Sequence, residues 1–162
     1  MNILIDTCTW LKLDKLTNLN LISIDLIYNS AEIMVTPDVA SELEYYNCNS
    51  WRKEKTLFLP IKNDKIYEEA IVYNFDKADA SILSNGSKDF TSIIITEDRN
   101  LIQFAKIYKF VVQQLIDFFR FLVELNIITK NLLSKINKIL RDIKNITVKK
   151  ERQIKNWLAE TR

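Results

Sequence analysis

The sequence predicts an α/β fold in three layers, with helices on both faces of a central parallel sheet and a helical C-terminal extension. Three observations carry that prediction. Short apolar runs, mostly rich in isoleucine, recur along residues 1–113, helical periodicity fills the stretches between them, and residues 114–162 read as helix alone. Strands that are continuously apolar, without polar alternation, belong to a sheet covered on both sides.

In chain order, Ile3-Leu4-Ile5 reads as the first strand, followed by helical patterns over Thr9–Lys15 and Leu21–Ser30. Ile33-Met34-Val35 is the second strand. Thr36 then caps a helix over Asp38–Tyr46, with Pro37 in its first turn. The stretch from Asn47 to Pro60 is the least regular and receives no element. Helices over Asp64–Asn74 and Lys77–Ser84 precede a strand at Ile93-Ile94-Ile95, a helix at Leu101–Lys109 and a fourth strand at Phe110-Val111-Val112.

The character then changes. Residues 115–128 are apolar nearly all round, with Phe118, Phe119, Phe121 and Leu122, as in a helix buried in a core or an interface. Leu132, Ile136, Ile139, Ile143 and Ile146 recur at heptad-like spacing, a seam that wants a partner helix in this chain or in a second copy. The division expected is an α/β domain over 1–113 and an extension over 114–162, packed on that domain or forming an interface, with a homodimer among its expected assemblies.

Composition removes whole classes of chemistry. The 162 residues suit one domain, and they include no His, a single Gly (Gly86) and two Cys (Cys8 and Cys48). Without His there is no Ser-His-Asp or Cys-His nucleophile and no His-ligated zinc. One Gly builds neither a phosphate loop nor a dinucleotide turn. Two distant Cys form no zinc knuckle, and free thiols suit a reducing cytoplasm. The start of the chain lacks the features of a signal peptide, and no run approaches the ~18 apolar residues of a membrane span. Net charge is +2, yet residues 1–113 carry −4 and residues 114–162 carry +6.

Acidic residues remain as the chemical resource. Ligands of open parallel sheets bind beyond the carboxyl ends of the strands. Asp6 follows the first strand, and Asp98 follows Ile93–Ile95 and Thr96. Glu42 shares a helix side with Val39 and Tyr46, and Asp79 with Ile82 and Leu83. Taken singly, each acid is also explained as a helix cap or a solvated position. As a set they form a cluster that needs either a shared proton or a divalent cation to offset its repulsion. Mg²⁺ and Mn²⁺ take such oxygen ligands and activate water against a phosphodiester. Thr7 and Thr96 either orient water and ligands or serve as plain N-caps.

The segments Ile-Leu-Ile-Asp6-Thr7, Val35-Thr-Pro-Asp-Val-Ala-Ser-Glu42-Leu43, Lys77-Ala-Asp79-Ala-Ser-Ile-Leu and Ile95-Thr96-Glu-Asp98-Arg-Asn-Leu, in this order, resemble a PIN-domain nuclease. The resemblance covers residues 1 to about 113, and its specificity lies in the ordered quartet. It implies a PIN-like fold and a Mg²⁺- or Mn²⁺-dependent endoribonuclease, with Asp6, Glu42, Asp79 and Asp98 as its metal-binding and catalytic acids. Two positions depart from the pattern. Cys8 stands where many members carry Ser or Asn, and Glu97 lies beside Asp98 as an alternative fourth acid. The compact form is similar to the VapC-like branch, toxins of type II toxin–antitoxin pairs held by a small antitoxin.

A nuclease with an acidic site needs positive charge nearby to hold RNA. Lys149, Lys150, Arg152 and Lys155 with Trp157 form one candidate surface, and Arg52, Lys53 and Lys55 beside Trp51 another. Single-stranded RNA suits a small cleft better than a duplex. A haloacid-dehalogenase-like phosphatase is disfavoured because position 8 is Cys where a second Asp is needed, and a receiver domain lacks its paired acids and late Lys. The remaining alternative is a non-catalytic PIN-like module for RNA or protein binding.

Overall fold

The computed structural model describes residues 2–160. Among these residues, five strands form one parallel sheet: β1 (Asn2–Ile5), β2 (Glu32–Val35), β3 (Thr56–Phe58), β4 (Ser92–Ile95) and β5 (Val112–Gln113), in the order β3-β2-β1-β4-β5. The chain thus starts in the middle of the sheet, winds outward through β2 and β3, and returns to the other side of β1. Helices α1 (Thr7–Asn18), α2 (Ile24–Ser30), α3 (Pro37–Tyr45), α4 (Asp64–Val72), α5 (Lys77–Ser84) and α6 (Arg99–Ile107) connect the strands. The extension adds α7 (Leu115–Glu124), α8 (Lys130–Asp142) and α9 (Val148–Glu160). The α/β class and the parallel sheet expected from the sequence are present.

The central strands are buried on both faces. Ile3, Leu4, Ile5, Ile33, Val35, Ile93, Ile94 and Ile95 belong to one continuous core with Trp10, Leu13, Leu43 and Leu83. Withdrawing apolar surface from water, at ~25 cal/mol per Å², is what holds such a sheet. The helix α7 shares this core, with Leu115, Ile116, Phe118, Phe119 and Leu122 all enclosed. Packing within the chain thus accounts for most of its apolar surface, while Leu125 and Ile127 at its end stay 48% and 39% exposed.

Two features differ from the sequence reading. The edge strand β3 falls inside the stretch given no element, because Thr56-Leu57-Phe58 is short and its Leu57 and Phe58 are 47% and 40% exposed. The isoleucine seam does not run along one helix. The helix α8 stops at Asp142, and its buried face is Leu133, Ile136, Asn137 and Leu140, with Ile146 beyond the turn into α9. Asn137 Nδ2 donates to the Glu151 carbonyl at 3.2 Å, fastening α8 to α9.

A chain with one glycine ends its helices on other residues. Six helices close with a left-handed residue just past the cap: Asn20, Asn47, Asn74, Lys109, Asn126 and Lys144, with φ between 52° and 64°. At α1, Asn20 N–H donates to the Thr17 carbonyl and Leu21 N–H to the Leu16 carbonyl, and the same paired bonds recur at the other five ends. Asparagine tolerates this conformation better than most residues and takes glycine's usual place.

Candidate functional site

In a parallel sheet the carboxyl ends of the strands meet the N-termini of the helices that follow. Asp6 directly continues β1. Its N–H donates to the Ile95 carbonyl at 3.2 Å, extending the ladder to β4, and its side chain caps α1 by accepting from Thr9 N–H at 2.6 Å. The Thr96 hydroxyl donates to the other carboxylate oxygen of Asp6 and accepts from Asp98 N–H at 3.0 Å. Asp98 in turn caps α6, its Oδ1 accepting from Asn100 N–H at 2.6 Å and Leu101 N–H at 3.0 Å. The caps of α1 and α6 are thus the acids themselves. Thr7 and Thr96 are not N-caps; they hold the acids' side chains and backbone.

Two further helices bring the other acids. Thr36 caps α3 and its hydroxyl lies 2.6 Å from that of Ser81 on α5, both fully enclosed. This contact locks the helix that carries Glu42 against the helix that carries Asp79. The Thr7 hydroxyl donates to Glu42 Oε2. Asp76 caps α5 by accepting from Asp79 N–H at 2.8 Å, so Asp79 stands in the first helical turn. Asp76 was missed in the sequence; the signal was its place three residues before Asp79, the spacing of a cap and its helix-start acid.

The four predicted acids converge electrostatically. Burial pushes the Asp79 carboxyl up to about 7, with further rises from the charges of Asp76, Asp6, Asp98 and Glu42. Burial also raises Asp6, against the lowering effect of its bonds from Thr9 and Thr96. Partial covering raises the Cys8 thiol although the residue as a whole is exposed, and the charges of Asp6, Asp79 and Glu42 raise it further, which places it beside the cluster. Lys12, one turn further along α1, is the cation felt by Asp6, Cys8 and Glu97. A groove of about 650 Å³ opens from the acids, lined by Asp76, Asp79 and Asp98 with residues of α6 and the α4–α5 turn.

Glu97 has a different job from Asp98. Its Oε1 accepts from Leu115 N–H at 2.8 Å and its Oε2 from Gln114 Nε2 at 3.0 Å, so both oxygens hold the start of α7. Burial pushes this carboxyl up as well.

No family model and no curated protein matches this chain. Its chemistry is therefore read from the side chains themselves.

The donor set suits a hard cation. Asp79 has both carboxylate oxygens uncommitted to hydrogen bonds among the described residues, while Glu42 retains Oε1 and Asp98 retains Oδ2. Oxygen donors of this kind are what Mg²⁺ and Mn²⁺ take. As they stand, no group of three or more His, Cys, Asp or Glu side chains among the described residues forms a ready metal-holding set.

The basic candidates divide into two places. Arg52 and Lys53 precede β3 and so lie at the amino end of the sheet, away from the acids. Arg52 is ion-paired with Asp25 and Lys53 with Glu44 at 3.0 Å, while Lys55 reaches Asp25 at 3.1 Å. Lys149 and Lys150 instead line a cavity of about 370 Å³ with Glu97, Arg99, Gln114 and Asn145, at the acidic end. Lys150 is paired with Asp117 at 2.6 Å, whereas Lys149 is exposed. Asn145 contributes amide atoms that are enclosed and make no hydrogen bond among the described residues. Arg152 lies on the adjoining face of α9 with Lys149 and Asn156. Trp157 packs against the core with the Arg120 guanidinium 5.9 Å from its ring centre, and Lys155 pairs with Glu151 at 2.6 Å. The residue overlooked in the sequence is Arg99, next to Asp98 and facing the same cavity as Lys149.

Among the described residues no helix is long and apolar enough to cross a membrane. Cys8 is exposed, Cys48 is buried, and both are free thiols.

Proposed function

We propose that the protein is a metal-dependent endoribonuclease with a PIN-like fold, hydrolysing phosphodiester bonds of single-stranded RNA in the cytoplasm. Within that class we propose that it is the toxin of a type II toxin–antitoxin pair, held in check by a cognate antitoxin. The observation that carries the nuclease reading is the meeting of four acids at one end of the sheet: burial, and after it the charges of Asp76, Asp6, Asp98 and Glu42, raise the Asp79 carboxyl to about 7. Acids gathered at this cost to one another suit a site built for a cation.

Asp79, Glu42 and Asp98 would hold that cation through their uncommitted oxygens, and Asp6, fixed by Thr9 and Thr96, would set the negative field behind it. A bound Mg²⁺ or Mn²⁺ supplies Lewis acidity toward the phosphodiester and offsets the carboxylates' mutual repulsion. The chain's own residues do the positioning. Thr7 orients Glu42, Thr96 ties Asp6 to the backbone of Asp98, and the helix N-termini stabilise the acids as anions. Arg99 and Lys149 offer phosphate contacts beside an otherwise repulsive cleft.

The test is cleavage of mixed single-stranded and structured RNA with Mn²⁺, Mg²⁺ or EDTA, comparing the native chain with Asp6→Asn. Asparagine still accepts from Thr9 N–H, so the helix cap survives while the charge is lost. Metal-dependent cutting that disappears in the variant supports the reading; cutting at an undiminished rate would sink the site assignment. A second reading, a non-catalytic module for RNA or protein binding, is favoured by the lack of a ready metal-holding group among the described residues. Calorimetric titration with Mn²⁺ separates the two, since a module has no need to bind it.

A further inference from the structure

We propose that the groove of about 650 Å³ beside the acids is a nucleobase subsite, taking one unstacked base of a single-stranded RNA while the adjoining phosphate lies toward the carboxylates. This rests on the reading of the chain as a ribonuclease and adds to it how the substrate is gripped.

The groove runs between the α4–α5 turn and α6, and its lining has two parts. One is aromatic. Tyr73 and Phe75 each meet Phe104 edge to face, with ring centres 5.6 and 5.3 Å apart, and Phe104 itself is buried. Tyr73 is nevertheless 65% exposed, and Ile107 across the groove is 76% exposed. Large apolar groups held rigid yet left open to water are the usual stacking platform for a base.

The other part is amide. Asn74, Asn100 and Gln103 all line the groove, and none of their side chains makes a hydrogen bond among the described residues. Primary carboxamides offer a donor and an acceptor side by side, the pattern that reads the edge of a base. The placement is rigid: Asn74 is the left-handed residue closing α4, and Asn100 lies in the first turn of α6, beside the Asp98 cap.

The lining also excludes other occupants. It contains no Lys or Arg, so a phosphate or an acidic peptide finds no counter-charge inside it. Asp76, Asp79 and Asp98 at its mouth repel anions further. A volume within the ~300–1,000 Å³ of small-ligand sites accommodates a flat heterocycle and its ribose. A cationic peptide is the competing occupant, since the acids would attract it.

Uncharged nucleosides test the idea without any metal or phosphate. The experiment follows the side-chain amide resonances of Asn74, Asn100 and Gln103 in the full chain with EDTA, during titration with adenosine, guanosine, cytidine and uridine. Saturable shifts with at least one nucleoside are expected, weakened about tenfold by Tyr73→Ala. Gln103→Ala, at an exposed position, is expected to alter the ranking of the four nucleosides with an unchanged melting temperature.

The proposal is overturned if no nucleoside gives saturable shifts, or if Tyr73→Ala, shown folded by its melting curve, binds them as the native chain does. Shifts produced by an oligolysine peptide and by no nucleoside also overturn it. Failure here is distinguishable from failure of the nuclease reading. RNA cleavage without nucleoside binding removes only the subsite, and nucleoside binding without cleavage removes only the catalytic assignment.

Discussion

The Thr7 hydroxyl donates to Glu42 Oε2 across 2.5 Å, joining the first turn of α1 to the middle of α3. These residues are 35 positions apart, and the bond is one of few polar links between the two helices that flank the acids. Thr7→Val keeps the shape and removes the donor. Losing a charge-assisted bond at this partly buried place is expected to cost about 1–3 kcal/mol, read as a lower urea midpoint, and to slow RNA cleavage. Thr7→Ser should restore most of both. An unchanged midpoint in Thr7→Val would show that the bond orients nothing.

Asp79 makes stability depend on pH in an unusual direction. Its folded carboxyl titrates near 7 against about 4 when unfolded, so folding favours the protonated form. The group therefore costs the metal-free fold nothing below about pH 4, and the cost grows as pH rises to 7 and then levels off. Asp79→Asn removes that cost. Discounted for partial exposure, the variant is expected to be about 1–2 kcal/mol more stable than the native chain at pH 8 in EDTA, and no more stable at pH 4. Denaturation curves at the two pH values check this; equal differences at both would refute it. Mn²⁺ should stabilise the native chain more strongly at pH 8 than at pH 5.

The two basic surfaces predict opposite results in a salt series. Arg99 and Lys149 face the cavity at the acidic end, while Arg52 is paired with Asp25 at the other end of the sheet. Arg99→Ala and Lys149→Ala are each expected to lower the slope of log affinity against log salt by about 0.7 for single-stranded RNA. Arg52→Ala should leave the slope unaltered. The reverse ranking would put the nucleic acid on the wrong end of the molecule.

Gly86 supplies a test of packing away from the acids. A Cβ there would lie 2.3 Å from Cδ2 and 2.6 Å from Cγ of Phe110, a ring that stacks on Tyr108 and cannot simply rotate clear. Gly86→Ala is expected to destabilise the fold by about 1–3 kcal/mol, and Phe110→Leu in the same chain to recover part of it. Thermal melts of the single and double variants measure both.

Much of this was legible in the sequence because the strands are runs of Ile, Leu, Met and Val, and residues so uniformly apolar fit only a sheet covered on both faces. The placing of Asp6 and Asp98 was legible for a related reason: a parallel sheet carries residues that follow its strands to one end, whereas Glu42 and Asp79 were read from their helix sides. What the sequence did not show was how each acid is held. Asp6 and Asp98 were readable as caps or as ligands, and they are caps whose spare oxygens differ: Asp6 spends both, Asp98 one. The strand β3 was hidden because it is only three residues long and its apolar run ends at Pro60 within an otherwise irregular stretch. The seam of isoleucines misled because its spacing continues through the break at Ile143 and Lys144, where a left-handed Lys stands in for the glycine that normally announces a helix end.

Glu97 gives the last third of the chain a meaning that its basic charge alone would not suggest. Both oxygens of this carboxylate rest on Gln114 and Leu115, the first residues of the extension, while its own backbone sits between Thr96 and Asp98. A protein cut after Gln113 would keep every one of the four acids and yet lose both groups that hold Glu97, together with the apolar side chains of α7 that share their core. The extension is a keystone, and anyone transplanting this cleft to another scaffold would have to carry α7 along with it.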